Sequence, residues 1–278
     1  MSGVNNFVEV LVMLKNLKLE RPIAFIDVET TGTHPHSDRI VELSIFRIQP
    51  DGSEDYRSHR INPGVSIPAE ATAVHGITDE DVAEEPTFCK YAKGLCEFLD
   101  GCDISGFNLI TFDLPFLEAE LERAGVGFSR EGRQLVDSMV IYHQKERREP
   151  GKPRNLKAAY LRYCGKELDD AHGAEKDVTA SAEILDSMVE DHSDLPTDVH
   201  GLGSFCNEVR KNYIDLEGRL IWVEGEAIFS FGKHSGRSLK EIATEYPDYL
   251  QWILGQDFRP DVREIIEKAL DGEFPQIP

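Results

Sequence analysis

Cysteine is sparse. The chain carries five, Cys89, Cys96, Cys102, Cys164 and Cys206, an odd number with no two in a C-x-x-C spacing. Neither a disulfide framework nor a zinc site is suggested, and reduced cysteines of a cytoplasmic protein are the expectation. Long apolar runs are missing too. Val8 to Leu14 is broken by Glu9 and followed by Lys15 and Lys18, well short of the ~20 residues that span a bilayer. No apolar segment leads into a small-residue cleavage site, so no secretory leader and no membrane partner are expected. Base is scarce beside acid: 30 Lys and Arg stand against 51 Asp and Glu, a net charge of −21. This argues against a protein that coats nucleic acid by bulk charge. It leaves room for an enzyme that grips nucleic acid through cations and small basic patches.

What is present describes a folded chain. Of 278 residues, 40% are hydrophobic and 29% charged, which is ordinary for a globular protein. Val4, Phe7, Val8, Leu11, Leu14 and Leu17 fall near helical spacing and predict an amphipathic N-terminal helix within residues 1–20. Residues 22–28, Pro-Ile-Ala-Phe-Ile-Asp-Val, read as a buried central strand. Strands follow at 40–48 and 56–61 around a Pro-Asp-Gly turn, then a helix at 88–99, a strand at 103–107, a helix at 114–124 and a short strand at 135–136. Helices are predicted from 138, over 155–163 and over 174–191. This order gives an α/β layered domain with a mixed sheet. Polar residues near 191–197 mark a boundary. The domain is placed at 1–192, a linker with a connecting helix at 193–215, and a small α+β module at 216–278, with strands at 220–223 and 228–231 and helices at 239–253 and 260–270.

Chemistry gathers at three places. Asp27 and Glu29, two apart on a strand, share one face. They are open to a plain reading as two acids among many. Against it, an Asp inside Ile-Ala-Phe-Ile-Asp-Val is desolvated, and buried charge is costly unless paired or bound to metal. Asn108 and Asp113 follow a short strand and open a helix, where strand ends present binding groups; taken alone, Asp113 reads as an N-cap. His172 and Asp177 flank the start of the last long helix, where an acid also suits the helix dipole. Converging carboxylates at ~4 Å and an effective dielectric near 20 repel by about 4 kcal/mol per pair. Hard divalent cations relieve that, and oxygen ligands suit magnesium or manganese. A histidine beside them has a pKa fit to take a proton from water.

Asp27-x-Glu29-Thr30-Thr31-Gly32, then Asn108 to Asp113, then His172-x-Ala174-x-x-Asp177 resemble the three motifs of the DEDDh, or DnaQ-like, 3′–5′ exonucleases. Val74-His75-Gly76-Ile77-Thr78 is similar to a sequence between the first two motifs of that family. The resemblance covers about Arg21 to His192. It implies an RNase H-like fold, with a mixed central sheet flanked by helices, and two divalent cations, Mg²⁺ or Mn²⁺, held by Asp27, Glu29, Asp113 and Asp177. It implies His172 as the general base, contacts from Thr30, Thr31 and Gly32 to the terminal nucleotide, and support of the substrate by Asn108. His75 is a further substrate-binding candidate, set against a packing or capping role. One departure is visible: the Asn and the Asp of the second motif are four apart in many members and five apart here.

Lys145 to Lys157 carries six bases and two acids, a local charge of +4. It reads either as a phosphate-tracking loop or as a solvated one. Phe229 to Lys240 places two aromatics before three bases, and the spacing of Phe229 and Phe231 favours core packing. With Tyr246 to Leu254, this segment resembles the C-terminal module of exodeoxyribonuclease X-like proteins, which implies a nucleic-acid-contacting accessory domain. The expected function is removal of nucleotides from single-stranded or frayed DNA 3′ ends in repair or proofreading. Trimming of RNA 3′ ends, a non-catalytic nucleic-acid-binding protein on the same fold, and a proofreading subunit with a polymerase or repair partner are the alternatives; the folded tail weighs against the last.

Overall fold

A computed structural model describes residues 14–149, 151–168, 174–256 and 258–277. The strands and helices are β1 (Ile23–Thr30), β2 (Ile40–Ile48), β3 (Glu54–Arg60), α1 (Ala69–His75), α2 (Asp79–Val82), α3 (Cys89–Phe98), β4 (Asp103–Gly106), α4 (Asp113–Arg123), β5 (Leu135–Asp137), α5 (Ser138–Lys145), α6 (Leu156–Cys164), α7 (Ala174–Asp191), α8 (Val199–Arg210), β6 (Leu220–Val223), β7 (Glu226–Phe229), α9 (Leu239–Glu245), α10 (Pro247–Leu254) and α11 (Pro260–Leu270). Chain contacts divide these into two compact units that meet between Cys206 and Asn207.

In the first unit five strands lie in the order β3-β2-β1-β4-β5. β1, β2 and β3 pair antiparallel, and β4 and β5 add parallel to β1. The mixed sheet expected from the sequence is therefore the architecture found. Ala24, Ile26 and Val28 of β1, with Leu43 and Ile45 of β2 and Ile104 of β4, face a core built with α3 and α4. The alternate residues Phe25, Asp27 and Glu29 take the opposite face, where α7 packs on β1 and β2. Gly106 ends β4 because the strands close tightly there. A Cβ at that position would lie 2.8 Å from the carbonyl oxygen of Ile26, so any larger residue pushes β4 away from the strand that carries the two acids.

Three expectations change. Residues 14–20 are bends and an isolated bridge, not helix. Their backbone is taken by other partners: the N–H groups of Lys15, Asn16 and Leu17 all donate to the carboxylate of Asp186, and Lys18 bridges Asp198. Residues 1–13 lie outside the described residues. The helix expected over 239–253 is two helices, because Pro247 cannot donate to the preceding turn and instead starts α10. The short helices α1 and α2 are additional; α2 is a single turn held by a capping box between Thr78 and Asp81.

The second unit is a β6–β7 hairpin packed on α9, α10 and α11, with its own core around Phe229, Leu239, Leu250, Ile253 and Ile266. Phe229 and Phe231 are both buried in it, as their spacing indicates.

Candidate active site

The parallel arrangement of β1 and β4 puts their C-terminal ends together, and the acids collect at that end. Asp27 and Glu29 project from β1 towards α7, and Asp177 reaches them from the first turns of that helix. One carboxylate oxygen from each of these three lies within 4.8 Å of the others. Asp113 is the first residue of α4 rather than its cap. Its carboxyl is buried and accepts the N–H of Val28 at 3.0 Å, so it grips β1 between the two acids.

The electrostatics are those of an acid cluster short of positive charge. Burial, then Asp113, Asp177 and Glu29, push the carboxyl of Asp27 well above the usual carboxylate range. Asp113 is raised by burial against the opposing pull of the Val28 N–H. Glu29 is pushed up to about 7, by burial first and then by Asp177 and Glu42. The donor set is all carboxylate oxygen, partly buried, and close enough for one ion with oxygen ligands at 2.0–2.6 Å. It suits a hard divalent cation.

Around the acids, most remaining candidates hold the backbone. The Thr30 hydroxyl donates to the carbonyl of Gly32 at 2.6 Å, and the Thr31 hydroxyl accepts the N–H of Arg39 at 3.0 Å. Gly32 leaves room for the carboxyl of Asp38, which a Cβ would meet at 2.4 Å. The Nδ1 of His75 accepts from the N–H of Ile77 at 3.1 Å, so its Nε2 carries the proton and donates to the Thr30 carbonyl at 3.2 Å. This histidine therefore pins the strand end beside Glu29. Asn108 takes a left-handed backbone, φ 71°, and its side-chain oxygen accepts the Thr111 hydroxyl. His172 lies outside the described residues.

Three acids that sequence reasoning passed over shape the same region. Asp137, fully buried at the end of β5, accepts the N–H groups of Asn108, Ile110 and Met139. Glu120, buried on α4, takes a two-pronged bond from Arg39 and the N–H of Ile40. Glu42 stands opposite Glu29 in the β1–β2 register and is met by Arg60 at 3.3 Å. Each carried the signal that exposed Asp27: an acid on an otherwise apolar strand or helix face. In the basic segment, Lys145 and Lys152 pair with Asp194 and Glu149. Arg154 caps the carbonyls of Tyr142, His143 and Glu146, so bases of this segment serve the fold. A hollow of about 760 Å³ lined by Arg21, Asp100 and Arg133 includes none of Asp27, Glu29, Asp113 and Asp177.

Known proteins similar to this chain identify its family and fold. A family model described as Exonuclease matches residues 24–185, and one described as Exodeoxyribonuclease X-like C-terminal matches residues 229–258. The DNA polymerase III subunit epsilon of Treponema pallidum is 28% identical over 172 residues, covering 60% of this chain and 76% of that protein. The 3′-5′ exonuclease DinG of Bacillus subtilis is 38% identical over 117 residues, covering 42% of this chain and 12% of that protein. Among solved structures, an E. coli ExoI–ssDNA complex in its zinc-bound form superposes with a TM-score of 0.54 at 17% identity, covering 63% of this chain. The present chain spans 42% of that one, and the likeness is one of fold: RNase H-like, as expected.

Proposed function

The chain belongs to the exonuclease family, and we propose that it is a metal-dependent 3′–5′ exonuclease that releases 5′-mononucleotides from single-stranded or frayed DNA 3′ ends. The observation that carries this reading is the meeting of Asp27, Glu29 and Asp177 within 4.8 Å, with Asp113 locked onto the backbone between the first two. Asp27, Glu29, Asp113 and Asp177 would hold two divalent cations, Mg²⁺ or Mn²⁺. When bound, such ions lower the pKa of water and neutralise charge developing on the phosphate. The protein's own part is to hold four acids in one place, where the protons that burial favours would give way to bound cations, and to exclude bulk water from the buried side of the cluster.

His172, five residues before Asp177, is the proposed general base. It takes the proton of the attacking water as a new P–O bond forms. The P–O3′ bond breaks with its electron pair on O3′, which takes a proton from water, so the shortened strand keeps a 3′-hydroxyl and the nucleotide leaves as a 5′-monophosphate. The terminal nucleotide would rest on the Thr30–Gly32 backbone, which His75 and Arg39 hold in place, and Asn108 would support it from the β4 side. Preference for DNA is supported by the similarity to DNA polymerase III epsilon subunits.

Matched 5′-labelled DNA and RNA oligonucleotides, each with Mg²⁺, Mn²⁺ or chelator, test the proposal. The expected result is a ladder shortening from the 3′ end, faster on DNA, absent with chelator and absent in Asp27→Ala with an unchanged circular dichroism spectrum. Equal rates in Asp27→Ala and wild type would sink the assignment of the site.

A further inference from the structure

In the second unit, four rings follow one another. Tyr246 and His234 are 4.7 Å apart, His234 and Tyr249 4.6 Å, and Tyr249 and Trp252 5.6 Å with their planes only 17° apart. The inner two are buried, whereas Tyr246 is 41% and Trp252 53% exposed. Helical spacing produces this: Tyr249 shares the inner face of α10 with Leu250 and Ile253, and Trp252 falls on its outer edge. His234 acts as a packing ring, since its Nε2 finds no hydrogen-bond partner among the described residues.

The loop before α9 completes the feature. Gly232 has φ +67°, and a Cβ there would lie 2.2 Å from the Tyr249 hydroxyl. The backbone thus rests against the tyrosine, leaving a hollow of about 440 Å³ lined by Gly232, Lys233, Asp248, Tyr249 and Trp252. The Lys233 ammonium sits 5.1 Å over the Tyr249 ring and makes no ion pair among the described residues. Arg237 differs: both Glu241 and Glu245 engage it, so it is not available to an anion.

A flat, exposed indole stacked on a tyrosine with an uncompensated lysine beside it complements a base and its phosphate. Stacking on such a ring is tolerant of sequence, because every base has a π-face. A quaternary ammonium guest, the other ligand that aromatic walls select, would meet the like charge of Lys233. Asp248 in the same lining would repel a phosphate, which sets the phosphate on the Lys233 side.

We propose that this face binds unpaired nucleotides, with a base stacked on Trp252 and its phosphate against Lys233. The proposal rests on the exonuclease reading only in taking the bound strand to be the strand that is shortened. The test uses the full chain in chelator, where no cleavage occurs, and fluorescence anisotropy of labelled thymidine and uridine oligomers. Trp252→Ala is expected to raise Kd about tenfold and Trp252→Phe to stay within about twofold. Lys233→Ala is expected to weaken binding and lower the salt slope by about one. An oligomer abasic throughout should bind wild type as weakly as Trp252→Ala binds thymidine, and the tighter of the two sugars identifies the natural strand. An unchanged Kd in Trp252→Ala, or equal binding of the abasic strand, overturns the proposal. A chain that binds through Trp252 yet never shortens a strand in Mg²⁺ defeats the exonuclease reading alone; one that cleaves while Trp252→Ala binds normally defeats this one alone.

Discussion

The carboxyl of Glu29 sits at a partly buried strand end facing Asp177 and Glu42, and burial first, then those two acids, favour its protonated form. Its folded value is about 7 against an ordinary 4.5. Between those values the folded chain holds a proton that the unfolded chain has released, so folding stability falls as pH rises through this window and stays lowered above it. A shift of this size amounts to on the order of 3 kcal/mol for one group. In chelator, Glu29→Gln should therefore gain on wild type from pH 5 to pH 8 in urea unfolding, and the gain should disappear when divalent cations are added. A constant difference across that pH range would show that Glu29 is not strained by its neighbours. The same property made the site legible in the sequence. Asp27 stood out because an acid inside an apolar strand requires a partner, and the two-residue spacing of Glu29 put it on the same face. The sequence held less about Thr30, Thr31 and His75, whose bonds run to backbone atoms brought near only by folding.

Elements with a strong period were read closely: β2 runs over Ile40–Ile48 and α11 over Pro260–Leu270 as expected. Those without one were missed. α1 buries only His75, so it offers no apolar stripe, and α2 is four residues long, held by its cap and by the packing of Val82 against Val41, Ile67 and Ile77. The break at Pro247 follows from proline chemistry that the apolar pattern of 239–253 concealed. Between elements, buried acids do the joining. Asp137 fastens the Asn108–Ile110 loop to the end of β5 and also caps α5. Asp137→Ala leaves three part-buried N–H groups without their acceptor and should cost about 1–3 kcal/mol in urea unfolding, with slower cleavage as the loop carrying Asn108 loosens. Asp137→Asn, which keeps one acceptor, should recover part of both. If Asp137→Ala leaves stability and cleavage at wild-type levels, the loop is held by something else.

At the scale of the whole chain, two cores share one polypeptide. The acids that would take cations lie in the first unit, and both tryptophans, Trp222 and Trp252, lie in the second. Tryptophan fluorescence therefore reports unfolding of the second unit, while far-ultraviolet circular dichroism reports both. A cation that binds only folded carboxylates stabilises the unit that holds them by RT ln(1 + [L]/Kd). Adding Mg²⁺ should move one phase of the dichroism curve to higher denaturant and leave the fluorescence transition in place. Ile266→Ala, at a fully buried position of the second core, should do the reverse, lowering the fluorescence transition by about 2–5 kcal/mol and sparing the cation-sensitive phase. Should both probes shift together in both experiments, the two cores unfold as one cooperative body. The second unit would then support the first thermodynamically, and a Trp252 binding defect would have to be separated from a stability defect by measuring each at the same denaturant-free temperature.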